Sequence, residues 1–300
     1  MTEETEEMIF LLASIISSTA LFVIFRYLDH YKVDTFRVIV INYFVASVVG
    51  FFLASGETTS LISAGIPWVG LAIIIGILFI VMFYLIGLSS QKAGISVTTV
   101  ASKMSVIIPV LFSIMYDPAD ELNILKIVGI LLALVAVFLT IYRKKSIDLN
   151  PGYFYLPVIL FFGMGVVDSL VKFSQFRYIN DGILPVFTAS LFLISALTGA
   201  VVSIFKRFSI KSFFTRAVTF WGILLGLFNF GSIFFVIKAL NYRSLKGHTL
   251  DGSIVFGINN IGIVSLSVIA GVIIFKEKLN NYNKAGIAIS LISIILLSRA

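Results

Sequence analysis

Four ionisable side chains interrupt long apolar runs: Lys103, Asp168, Lys172 and Lys238. A charge at bilayer depth costs about 2.5 to 3.5 kcal/mol on insertion scales, so each is expected to face protein or water rather than lipid. Asp168 and Lys172 are four residues apart, which puts them on one helical face as an ion pair that eases insertion. Alternatively, Asp168 stands in a cavity as a substrate or proton site, and Lys172 reaches the interface along its own stem. Lys103 lies too deep to reach water that way and has no acidic partner within one turn of its own helix. Either Asp168 or a bound anion must then neutralise it. If Lys103 met a carboxylate and Asp168 an ammonium, a zwitterionic amino acid would fit between them.

Neutral candidates for the same work are Tyr84, Asn229, the adjacent Asn259 and Asn260, and Ser17, all within apolar runs. Each can hydrogen-bond a ligand, and each can equally join one helix to another. Pro109 frees a backbone carbonyl beside Lys103 and makes a candidate hinge. Gly222 and Gly226 form a Gly-x-x-x-Gly surface, read as packing within the monomer. His30 and His248 are read as loop residues.

These residues need a scaffold, and composition names it. The chain has 300 residues, 59% hydrophobic and 12% charged, with mean hydropathy +1.08. Soluble domains are roughly 45 to 50% apolar and about 25% charged, so a soluble globule is excluded. The absence of Cys and the presence of two His remove thiolate chemistry and the common zinc sites. No cofactor or metal is expected. Apolar runs give ten spans, near 8–25, 38–54, 68–89, 96–116, 124–142, 153–172, 184–205, 218–240, 253–275 and 285–298. The runs lack the alternation of barrel strands, which leaves helices to satisfy the backbone in lipid. The acidic stretch through Glu7 is read as a tail before a retained first span, since a signal peptide starts with basic residues.

The chain matches itself at about half its length. Phe25-Arg26-Tyr27 answers Phe176-Arg177-Tyr178, and Leu122-Asn123 with Gly129-Ile130 answers Leu279-Asn280 with Gly286-Ile287. The offsets, 151 and 157 residues, fit an all-α membrane protein of two inverted five-helix repeats, 1–147 and 148–300. Of the 22 Lys and Arg, three lie in spans, fourteen at odd-numbered connections and five on the other face. By the positive-inside rule the odd connections are cytoplasmic and both termini outside.

Ten spans in two halves, each closing with an acidic short turn and a Gly-containing last span, resemble the drug/metabolite transporter superfamily of the EamA type. Gly94 to Leu139 carries the likeness in the first half, with Asp120-Glu121-Leu122 before span 5. Ala239 to Leu297 carries it in the second, with Phe275-Lys276-Glu277-Lys278-Leu279 before span 10 and then Lys284 and Gly286. Two departures stand out: Ile16-Ser17-Ser18 replaces the Trp-Gly often found in the first span, and no Pro occurs near Val264. The resemblance implies a metabolite or amino-acid exporter with a cavity lined by spans 1, 3 and 4 and their counterparts 6, 8 and 9. It also implies cytoplasmic termini, the reverse of the base count.

The expectation is therefore a monomeric secondary transporter in the bacterial inner membrane. It would move a small-molecule substrate by alternating access, with proton or ion coupling available, and no nucleic-acid partner is expected. No phosphate-binding loop is present to couple nucleotide hydrolysis. An intramembrane enzyme acting on lipids, which would want clustered carboxylates or a His and acid pair, and a passive channel are the alternatives.

Overall fold

The computed structural model describes residues 3–53, 67–116, 123–141, 153–178, 184–240, 252–297 and 299, and among these every regular element is helical. In order they are α1 (Glu3–His30), α2 (Thr35–Leu53), α3 (Pro67–Lys92), α4 (Ile95–Met104), α5 (Ile107–Tyr116), α6 (Ile124–Ile141), α7 (Tyr155–Tyr178), α8 (Leu184–Phe205), α9 (Arg216–Leu240), α10 (Gly252–Ile273) and α11 (Asn281–Leu297). A short 3-10 turn, Ile210–Ser212, precedes α9. Nine segments are long and apolar enough to cross a membrane, α4 and α5 counting together, and α11 is a shorter apolar helix. The chain is a multi-pass membrane protein. Large apolar side chains stand outward, including Phe138 on α6, Phe162 on α7 and Phe205 at the end of α8. That surface is intolerable in water and ordinary against acyl chains.

Three expectations need correction. The acidic residues from Glu3 to Glu7 belong to α1, and His30 closes that helix instead of lying in a loop. Span 4 is broken at Ser105 and Val106. Pro109 has no N–H and its ring opposes the carbonyl four residues back, that of Ser105. That carbonyl accepts instead from Ile108 N at 2.9 Å, while the ladder resumes with Val110 N donating to Val106 O at 3.2 Å. His248, the Asp117, Asp120 and Glu121 cluster, and the basic run at Arg143 lie outside the described residues.

Lipid offers no hydrophobic drive for helices to associate, so close approach through small residues does much of that work. The approaches recur in exchanged pairs. A Cβ at Gly129 on α6 would meet Leu297 of α11 at 2.8 Å, and one at Gly286 on α11 would meet the Thr140 backbone of α6 at 2.7 Å. Gly129 and Gly286 are 157 residues apart, as are Thr140 and Leu297. Gly50 on α2 approaches Ala189 on α8, and Gly199 on α8 approaches Val40 on α2, both pairs at a shift of 149. Gly76 on α3 abuts Ile194 and the Leu191 carbonyl, as Gly226 on α9 abuts Val45 and the Asn42 carbonyl. Helix starts repeat too: the Asn123 side chain accepts from Lys126 N at 2.9 Å and that of Asn280 from Asn283 N at 2.8 Å, N-caps of α6 and α11.

Among the described residues, the odd-numbered connections meet at one face, closed by aromatic and cation contacts. Tyr27 and Tyr31 of α1 stack on Trp221 of α9, with Phe275 edge-on to Tyr27. Arg37 covers the Phe208 ring and Lys206 the Phe36 ring. Three helices reaching this face, α1, α8 and α10, are followed by left-handed residues: Lys32, Arg207 and Lys276, at φ 53 to 54°. α3 is followed by Gly94 at φ 98°, the N-cap of α4. The Gly-x-x-x-Gly of α9 packs within the monomer, against α2. Gly226→Val is expected to lower the melting temperature, overpacking costing about 1 to 3 kcal/mol, whereas Gly70→Val, with nothing within 4 Å, leaves it unchanged. Thermal unfolding of both variants in one detergent checks this.

Candidate functional site

α4 is the helix from which a buried charge can act, because no residue from Ile95 to Val110 is exposed. Thr98, Thr99, Met104 and Ser105 are fully enclosed, yet Lys103 among them keeps partial accessibility. Asp168 behaves alike on α7. Its immediate neighbours Val167 and Ser169 are buried, and the outward stripe of that helix, Ile159, Phe162 and Val166, lies on the opposite side of the cylinder. Neither side chain is turned to lipid.

The two charges act on one another, and Ser105, at the break in span 4, lies near the Asp168 carboxylate. They do not touch: among the described residues the ion pair within 4 Å joins Lys92 to Asp29, at 3.6 Å. The break at Ser105 turns that residue's hydroxyl to the Ser102 carbonyl at 2.6 Å. Lys103 thus lies in the last turn of the first half of a divided span, six residues before Pro109. A separated pair of opposite charges at mid-depth is electrically neutral overall and leaves each member capacity for a further partner.

Other polar groups lie buried within the same bundle. Ser14 donates to the Ser232 carbonyl at 2.9 Å, and Ser17 rests against Gly231. Both tie α1 to α9. Gly262 of α10 meets Ile15 of α1, and Gly165 of α7 meets Ile108 of α5, which sets the level of α10 and α7 relative to α1 and α5. Asn229 stands against Asn42 of α2, whose amide, turned to donate to the Leu225 carbonyl at 3.2 Å, approaches that of Asn229 equally closely. Asn259 is buried and its Oδ1 has no hydrogen-bond partner in the structure, and the same holds for Ser102 Oγ. Asn260 is partly buried. Enclosed polar atoms without partners are uncommon and mark places where a further hydrogen-bonding group fits.

Not every candidate joins this layer. Tyr84 stands nearer the odd face, edge-on to Phe36 at 5.9 Å. Lys172 and Lys238 are exposed, the latter with its ammonium 5.6 Å from the Phe234 ring. Glu277, a turn residue in sequence, has a carboxylate whose role only the fold reveals. That group reaches across to the start of α4, accepting from Ile95 N, from Ser96 N at 3.2 Å and from Ser96 Oγ at 2.7 Å. The signal was there in outline, since Gly94 just before a helix lacking an N-cap side chain leaves its first amides in need of an acceptor.

No family model matches the chain. A Haemophilus influenzae protein described as uncharacterized is 29% identical over 229 residues, 74% of this chain and 73% of its own length. A protein of known crystal structure shares the fold at TM-score 0.59 and 16% identity, with 97% of this chain and 96% of the other covered.

If Asp168 is held by Lys103 rather than by Lys172, a double-mutant cycle between Lys103→Met and Asp168→Asn should return a coupling of about 1 kcal/mol. The cycle between Asp168→Asn and Lys172→Met should stay below about 0.5 kcal/mol. Reversible unfolding in mixed micelles measures both.

Proposed function

We propose that this chain is a secondary transporter that exports small zwitterionic metabolites, amino acids among them, by alternating access. The observation that carries the reading is the Lys103 and Asp168 pair. Opposite charges on α4 and α7 act on one another, neither of them exposed and the two not in contact. A ligand bearing a carboxylate and an ammonium neutralises both, and the unpartnered Asn259 Oδ1 and Ser102 Oγ offer it further hydrogen bonds.

The exchanged helix contacts support two inverted repeats, EamA-like in plan, at 1–147 and 148–300. Pairs at shifts of 149 and 157 residues are what a two-fold axis in the membrane plane generates. Such an axis also supplies two arrangements of similar energy, one open to each side. Closure by aromatic stacking at the odd face fits one of them. The bases on that face favour the cytoplasmic side of a bacterial inner membrane. The break beside Pro109 serves as the hinge that lets the Lys103 half of span 4 move.

Reconstituted into vesicles, the native chain should show solute flux that Lys103→Ala and Asp168→Ala each reduce at least tenfold at equal incorporation. Unchanged flux in both would end the reading. A melting screen over amino acids, sugars and nucleotides identifies the solute, since a ligand at a hundred times its Kd adds about 2.7 kcal/mol. A phosphosugar hit in place of an amino acid would recast the lysine as an anion clamp.

A further inference from the structure

The carboxylate of Glu277 occupies a receptor built by both halves of the chain. From one side come Ile95 N, Ser96 N and Ser96 Oγ at the start of α4. From the other comes the end of α10, where the Glu277 amide donates to the Gly271 carbonyl at 2.9 Å and Lys276 takes a left-handed turn. Two glycines make the room. A Cβ at Gly94 would stand 2.9 Å from Glu277 Oε1, and one at Gly271 would stand 2.5 Å from Oε2. Gly94 is also held at φ 98°, where a side chain is strained. The turn bearing Glu277 is therefore fixed to α10, while its carboxylate is fixed to α4.

This contact sits on the closed face, at the far end of the segment that finishes in Lys103 and the broken turn. Any motion that opens that face by swinging α4 away from α10 must part it. The groups it would part, a carboxylate, two backbone amides and a hydroxyl, need water on opening, which the end of the bundle outside the apolar runs can supply. Resting on the transporter reading above, we propose that Glu277 is the latch of the odd-face gate: it holds the Lys103-bearing half of span 4 shut, and its release lets that half move about Ser105 and Val106.

The absence of cysteine makes the test direct. Thr99 lies one turn inside the latch, is fully enclosed, and its hydroxyl bonds to the Ile95 carbonyl of its own helix. Thr99→Cys in the otherwise native chain, in lipid nanodiscs, should react slowly with a water-soluble maleimide. Adding Glu277→Gln, which keeps the shape and removes the charge, should speed labelling about tenfold, because reaction follows the population that opens. Ser96→Ala, which deletes one of the three bonds, should give a smaller increase. Labelling unmoved by Glu277→Gln overturns the latch, and so does labelling that rises only together with loss of the monodisperse folded peak in both variants, which would make Glu277 a folding cap. The two proposals fail separately. A labelling response without solute flux keeps the latch and removes the transporter, whereas flux with unresponsive labelling does the reverse.

Discussion

Helices already in lipid gain nothing from leaving water, so whatever holds this bundle together must come from surfaces that meet closely enough for dispersion and short polar contacts to count. Glycine is the device. At Gly50, Gly76, Gly129, Gly199, Gly226 and Gly286 a single added methyl would lie within 2.9 Å of the facing helix, and at Gly226 and Gly286 the atoms met include backbone, which no rotamer change moves. These contacts fix how deep each helix sits against its neighbour. Depth in turn decides which polar residues can meet inside the bundle, as Ser14 and Ser17 of α1 meet α9 in a buried polar layer.

That layer is where the energetic tension lies. Some of its serines and asparagines are spent on neighbouring helices, as Ser14 on the Ser232 carbonyl and Asn42 on the Leu225 carbonyl, both of α9. Such bonds are worth roughly 0.6 kcal/mol on average in membranes, enough to set register and too little to hold the fold. Lys103 and Asp168 are different in kind. Each would be costly alone, and they are compatible with the bundle because α4 is enclosed along the length that carries Lys103 and Asp168 lies on the inner side of α7.

Much of this was legible in the residue string. Apolar runs set the spans, because lipid allows the backbone few other solutions, and Gly129-Ile130 against Gly286-Ile287 marked a contact that proves to be mutual. Pro109 announced a disturbance, though its effect falls four residues earlier, at the carbonyl its ring opposes. What could not be read were partnerships across the chain. Nothing local to Asp168 says that Lys103, 65 residues upstream, acts on it, since helical spacing points only to Lys172, four residues on, until tertiary packing is known. Likewise Glu277 looks like a solvated turn residue until Gly94, in the other half, is brought beneath it.

The left-handed residues that follow α1, α8 and α10 alter what the positive charge at this end of the molecule means. Lys32, Arg207 and Lys276 occupy a conformation that glycine adopts freely and that costs a side chain roughly 1 to 2 kcal/mol. A cation there faces the negative pole of the helix it terminates. Part of the asymmetry conventionally attributed to the insertion machinery is therefore electrostatic termination of helices whose carbonyl ends all emerge on one side. Orientation and helix-end chemistry are two uses of the same side chains.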